Sequence, residues 1–132
     1  MVNDFQEFMS NKKDEHLFDG LFPVDDVSLS AITNVQTKVP VDYIGFLKEY
    51  GCGEIEVAGL MLYNGFLEVG EVFDAETAVS LSDILIFGDD MQGRCIGFDK
   101  NDHWAVVEIG SSDISCRKLS NTFSEFLYDR LS

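Results

Sequence analysis

Three groups of residues have the types and spacing that could support catalysis or metal binding. Cys95 and His103 could act as a nucleophile and its base, because a neighbouring imidazole commonly activates a thiol. The adjacent Asp89 and Asp90 could share acid–base work as a pair of carboxylates. The segment Asp99–His103 carries oxygen ligands at its first and third positions, as a calcium-binding loop does.

None of these groups meets the requirements of its chemistry. If the runs around them pair as a hairpin, Cys95 lies roughly 13 Å from the turn, beyond hydrogen-bond reach of His103. Asp89 and Asp90 lie in a polar loop with no apolar pocket to raise the pKa of one carboxyl. The calcium pattern fails at its fifth and sixth positions, His103 and Trp104. We therefore expect that the protein is not an enzyme and binds neither a metal ion nor a cofactor.

The net charge of the chain limits the classes of partner that it can bind. The 132 residues contain 24 carboxylates and nine basic side chains, which gives a net charge of −15 and a pI near 4.2. Such a charge disfavours direct binding to nucleic acid or to an anionic membrane. The acidic residues are also unevenly placed, since residues 49–93 include no Lys or Arg. Ten carboxylates fall in that segment: Glu49, Glu54, Glu56, Glu68, Glu71, Asp74, Glu76, Asp83, Asp89 and Asp90.

Two interpretations of the base-free segment remain open: general solubility, or steering of a basic protein partner. For the second, the candidate partner-binding residues are Glu54, Glu56, Asp89 and Asp90. In a strand predicted over residues 54–57, the two glutamates alternate with apolar residues and share the outward face. The two aspartates belong to a loop, where binding residues concentrate. The alternative is that all four side chains are simply solvated.

A central hairpin should position the aspartates. Ile84–Phe87 is apolar at every position, which predicts a central strand covered on both faces. Cys95–Phe98 is the second strand, and Gly88 and Gly93 bound the loop between them. Gly97 within the second strand indicates a bend or a close approach of another backbone.

The rest of the chain predicts an α+β fold with a single antiparallel sheet of about five or six strands. Helices that precede the strands in sequence should pack on the sheet at its N-terminal side, and a further helix should form the C-terminus. The apolar stripe of the third helix is expected in the core. The helices are predicted over Asn3–Met9, Ser28–Thr37, Val41–Tyr50 and from an N-cap at Asn121 onward. Further strands are predicted over Glu54–Val57, Trp104–Ile109 and Ile114–Lys118, together with a hairpin of Leu60–Tyr63 and Phe66–Val69 around Asn64-Gly65.

The length fits one domain over residues 1–132, with residues 1–25 as an N-terminal extension that is poorly assigned beyond its first helix. No apolar run approaches the ~18 residues of a membrane span. Met1–Ser10 lacks the features of a secretory signal. The three cysteines are far apart and odd in number, as expected for free thiols in a reducing compartment. We therefore expect a cytoplasmic protein.

Three motifs, in order, resemble the SUKH superfamily, which is named partly for a fungal cell-wall synthesis regulator. Val39-Pro40-Val41-Asp42-Tyr43, with Phe46-Leu47 and Tyr50-Gly51-Cys52-Gly53, is similar to the family's Leu-Pro-x-Asp-Tyr-x-x-Phe-Leu…Asn-Gly-Gly helix. The run Ile86–Gly93 followed by Ile96–Asp99 is similar to its sheet centre. Thr122–Leu127 is similar to its closing Ser-Phe-x-x-Phe-Leu helix. The resemblance spans roughly residues 26–132.

The resemblance implies an α+β domain that acts as a bacterial immunity protein. Such proteins bind and neutralise a cognate toxin domain, often a nuclease or a deaminase. The alternative, implied by the fungal members, is a non-catalytic regulatory domain that recruits other proteins. Val39 in place of Leu and Cys52 within the expected Asn-Gly-Gly depart from the pattern, and residues 1–25 have no counterpart in it.

Overall fold

The computed structural model of the protein describes residues 2–35, 38–71, 73–110 and 116–131. Its seven strands form one sheet in which each strand is antiparallel to the next along the chain. The predicted α+β class and single antiparallel sheet are confirmed, with one strand more than expected. The strands are β1 Leu21–Phe22, β2 Cys52–Ile55, β3 Leu60–Glu68, β4 Ile84–Asp89, β5 Cys95–Asp99, β6 Ala105–Ile109 and β7 Cys116–Ser120.

The helices pack mainly on one face of the sheet. Four of them supply residues to the main core cluster, while the C-cap of the shortest, α4, is Leu81, which belongs to a second cluster with Ile84 and Val107. The helices are α1 Val2–Asp14, α2 Asp26–Val35, α3 Val41–Glu49, α4 Ala75–Ser80 and α5 Phe123–Leu131. The predicted second helix therefore begins two residues earlier, and Gln36 and Thr37 lie outside the described residues.

The aromatic stripe of α3 lies in the core, as predicted. Tyr43, Phe46 and Leu47 are buried, and Tyr50 is half-buried. The Tyr43 ring lies 5.2–5.6 Å from four other rings. These four rings belong to Phe66 of β3, Phe87 of β4, Phe98 of β5 and Phe123 of α5. Aromatic pairs at such distances add to the hydrophobic contribution of the buried rings.

The first turn of α3 also holds the start of α5. Asp42 Oδ2 accepts hydrogen bonds from the backbone N–H and the hydroxyl of Ser124, both at 2.9 Å. A carboxylate at a helix N-terminus satisfies a free N–H and complements the helix dipole. The N-cap predicted at Asn121 is wrong by one residue, because α5 begins at Phe123. Thr122 Oγ1 accepts the Glu125 N–H at 3.1 Å.

Strand β4 occupies the middle of the sheet, as its apolar sequence predicted. Ile84, Leu85, Ile86 and Phe87 are at most 4% exposed, because the main core covers one face and the second cluster covers part of the other. The close approach expected at Gly97 is also present. A Cβ added there would lie 2.5 Å from the carbonyl oxygen of Leu85.

The hairpin predicted around Asn64-Gly65 is wrong, because residues 60–68 form one strand. Leu62 pairs with Gly53 of β2 and with Gly88 of β4, so β3 has neighbours on both sides and does not fold back on itself. The four residues 63–66 form an irregularity opposite Phe87. Asn-Gly favours a tight turn locally, but the ladders on both sides outweigh that preference.

The unassigned N-terminal segment packs against the core. Phe18 lies edge-on to Phe46 at 5.8 Å between ring centroids, and Met9 of α1 is 2% exposed. Leu21 pairs with Gly53, which adds β1 to the edge of the sheet.

Two other boundaries differ from prediction. Strand β6 begins after Trp104, and β7 ends at Ser120, while Ile114 lies outside the described residues.

Candidate partner-binding surface

The four candidate acids lie at one end of the sheet. There, β2 leads into a 3-10 turn over Glu56–Ala58, and β4 leads into the loop that joins it to β5. A Cβ added to Gly59 would lie 3.8 Å from the carbonyl oxygen of Asp90, so the turn and the loop are neighbours. We call residues 54–59 and 89–94 together the loop end.

The sheet register brings Glu54 and Asp89 onto one face. Glu54 pairs with Met61, and Met61 pairs with Asp89. Directly opposed residues in an antiparallel sheet project to the same side, so these acids face the same way with one strand between them, roughly 10 Å apart. Cys95 extends the row on β5, and its membership of the second cluster identifies the face as the one opposite the main core. Glu54 is exposed, as predicted.

Glu56 does not share a strand with Glu54, so this part of the prediction is wrong. Strand β2 ends at Ile55, and the chain turns through the 3-10 helix to Gly59, whose φ of 60° is left-handed. Glu56 is still exposed, at the tip of the sheet. Val57, expected to point inward, is 81% exposed, because a tight turn does not preserve the alternation of a strand.

Asp89 and Asp90 shape their own loop and do not simply extend into solvent. Asp89 accepts the Tyr63 hydroxyl at 2.6 Å and the Met91 N–H at 2.8 Å, one on each oxygen. Asp90 Oδ1 accepts the N–H groups of Gln92 and Arg94, each at 2.9 Å. Both aspartates are half-buried. Their first role is therefore to fix the loop.

Tyr63 supports this loop from the irregular part of β3. Burial, together with the hydrogen bond from its hydroxyl to Asp89, raises the pKa of Tyr63 above its ordinary value. The hydroxyl therefore stays protonated at neutral pH and can donate to the carboxylate. The sequence pattern gave no sign of this pair, because 26 residues separate its members.

The three arginines of the chain are connected to the loop end. Arg94 and Arg117 both bind Glu108 Oε1, at 3.3 and 2.7 Å. Glu108 is itself only 8% exposed on β6. Arg130 of α5 donates to the carbonyl oxygens of Ala58 and Gly59 at 3.2 and 3.4 Å. The segment without bases in the sequence therefore has bases beside it in space, and the loop end is mixed in charge, with an acidic excess.

The other candidate chemistry finds no geometric support in the described residues. Cys95 begins β5, whereas His103 lies in the turn beyond the end of that strand. Burial raises the pKa of the Cys95 thiol, and the nearby Asp89 and Asp90 raise it further, which opposes thiolate formation. Residues 2–35, 38–71, 73–110 and 116–131 contain no group of three or more His, Cys, Asp or Glu that could hold a metal ion.

Removing one hydroxyl should distinguish the loop support from an ordinary core tyrosine. Tyr63→Phe is expected to lower the free energy of unfolding by about 1 kcal/mol, since it removes the hydroxyl that donates to Asp89 Oδ2. Tyr43→Phe is the matched control, because the Tyr43 hydroxyl is buried without a hydrogen-bond partner among the described residues. That variant should be neutral or slightly more stable. Urea unfolding of both variants measures the difference. Equal losses would contradict the assigned role of Tyr63.

One of three comparisons with known proteins identifies the family of this chain. Within residues 2–35, 38–71, 73–110 and 116–131, the structure contains no helix that could span a lipid bilayer. Searches of curated proteins and of solved structures found no match. The model of the SMI1 / KNR4 family (SUKH-1) matches residues 23–129, which include α2 to α4, β2 to β7, the whole loop end and all but the last two residues of α5. The match covers most of the chain and confirms the resemblance of its motifs, so this protein belongs to the SMI1 / KNR4 family (SUKH-1).

Proposed function

We propose that this protein is a cytoplasmic immunity protein that binds a cognate toxin domain and blocks its active site. The toxin would be a nuclease or a deaminase with a basic substrate-binding surface. The immunity protein would act by occlusion, without catalysis or a cofactor, and would bind neither nucleic acid nor a membrane directly.

Membership of the SMI1 / KNR4 family is consistent with an immunity-type or a regulatory domain. The observation that carries the immunity proposal is the gathering of Glu54, Glu56, Asp89 and Asp90 at one end of the sheet. An enzyme that acts on a nucleic acid must present basic groups to its substrate, and an acidic surface can occupy the same groups.

The electrostatic field at the loop end suits a partner whose surface carries mostly, but not exclusively, basic groups. Glu54 and Glu56 are exposed and free to interact with cationic groups. Arg94 is partly neutralised because it shares Glu108 with Arg117. Complementary charge of this kind speeds encounter and fixes the orientation of the complex.

Co-expression tests the proposal. The protein encoded by the reading frame next to this gene should arrest growth when it is expressed alone, and co-expression of this chain should restore growth. An unrelated acidic protein of similar size and charge is the control for non-specific neutralisation.

The outcome separates the immunity function from the regulatory one. Rescue together with a stable complex of the two purified proteins supports immunity. Failure to rescue from a neighbour that is toxic would overturn it. Stable binding to several unrelated proteins without any rescue would favour the regulatory alternative.

A further inference from the structure

We propose that Met91 and Val57, two exposed apolar side chains of the loop end, together form the apolar contact through which it recognises a basic face of the toxin domain. This inference rests on the proposed immunity function and identifies the residues that would give the complex its affinity. Met91 is 43% exposed and Val57 is 81% exposed. Neither residue belongs to the acidic set that the sequence pointed to.

The backbone at Met91 is held in an unfavourable conformation. Its φ of 64° is left-handed, a region that residues with a side chain seldom adopt. The conformation is imposed by its neighbours, since Asp89 Oδ1 accepts the Met91 N–H while Asp90 Oδ1 accepts the next donors in the loop. Such a conformation persists only where the surrounding contacts impose it, so the Met91 side chain is presented in one fixed position.

Val57 is fixed close to the same loop. Its 3-10 turn is secured by Arg130, which donates to the carbonyls of Ala58 and Gly59. Gly59 lies against Asp90, the residue before Met91. Counting about 3.8 Å per residue from that contact, the Cα atoms of Val57 and Met91 are no more than about 19 Å apart. A typical interface patch is roughly 30 Å across, so one partner can cover both side chains.

The charge around the two side chains indicates which partner fits. Exposed single apolar residues are common on proteins and need no explanation by themselves. Here, however, they share the loop end with Glu54, Glu56 and Asp90. An apolar centre with a charged rim is the usual arrangement of a protein interface, and methionine is enriched at such centres. The matching surface is a basic face of a protein that presents an apolar hollow or side chain.

Two variants of Met91 separate the side chain from the backbone. Met91→Gly removes the side chain and relieves the left-handed strain, so its melting temperature should equal the parent's or exceed it by up to about 5 °C. Met91→Gln keeps the length of the side chain but makes it polar, so the melting temperature should not change. Both variants should bind the protein encoded next to this gene at least tenfold more weakly, as measured by calorimetry.

His103→Gly is the matched control. His103 has a similar φ of 54° and lies in the turn after β5, at the other end of the sheet. This substitution should change the melting temperature in the same direction as Met91→Gly and leave binding unchanged.

The results distinguish this inference from the proposed function. If the parent protein binds and Met91→Gln binds equally well, the apolar contact is wrong although the immunity function stands. If the parent protein itself neither binds nor rescues, the proposed function fails. If Met91→Gly destabilises the fold by several degrees while His103→Gly does not, the assignment of strain at Met91 is wrong.

Discussion

Replacing Phe87 with alanine is expected to lower the free energy of unfolding by about 3–5 kcal/mol, the usual range for a fully buried aromatic ring. Phe87 has no exposed surface, and its ring lies 4.6–6.0 Å from four other rings. It also stands where the pairing of β4 shifts register with both neighbouring strands. Ile86 and Gly88, on either side of it, nevertheless pair with both β3 and β5, so the backbone is held in place and cannot close the resulting cavity easily.

Phe46→Ala should produce a loss in the same range, because that ring packs between α5 and the N-terminal segment at 5% exposure. Phe22→Ala is the control: the same atoms are removed, but Phe22 is 69% exposed at the sheet edge. It should change stability by less than about 1 kcal/mol. Urea denaturation monitored by circular dichroism compares the three. A urea denaturation curve of Phe87→Ala close to that of the parent protein would mean that the core has been misplaced.

Reversing the charge of the two exposed glutamates is expected to slow association with the toxin about tenfold at low salt. Glu54→Lys with Glu56→Lys should act mainly on the association rate, since steering operates before contact. The dependence of that rate on salt should weaken as well. The effect should stay near tenfold because Arg94 and Arg130 already lie at this end and reduce the acidic field. Stopped-flow kinetics over a range of salt concentrations measures it.

The structure changes how the two aspartates should be tested. Asp89→Lys and Asp90→Lys would remove acceptors of the loop's own hydrogen bonds, so a loss of binding could follow from a misshapen loop. The glutamate pair accepts no such bonds with its side chains in the described structure and changes charge alone.

A matched charge control exists within the same acidic segment. Glu49 and Asp83 are exposed and precede β2 and β4, so they lie at the opposite end of the sheet from Glu54 and Glu56. Reversing this pair makes the same change in net charge. If both double variants slow association equally, the effect comes from the total charge, and the loop end is not the interface.

Local sequence determined much of this fold. The all-apolar run of β4 and the aromatic stripe of α3 depend on residues a few positions apart, and they gave the central strand and the buried helix face. Composition fixed the acidic charge. Motif order identified the family over most of the chain.

Tertiary structure alone decided the rest, because strand pairing and loop contacts join residues that are distant in sequence. Asn64-Gly65 was predicted as a turn, yet the ladders to β2 and β4 hold it within one strand. Arg130 reaches the Gly59 turn across 71 residues and gives a charged partner to a segment that has no base of its own. Val57 became exposed because β2 ends one residue before Glu56, a boundary that alternation does not encode. The distribution of charge in the sequence could therefore select the acidic residues. Only the long-range contacts could show that Asp89 and Asp90 shape the loop, and that Met91 and Val57 face the solvent.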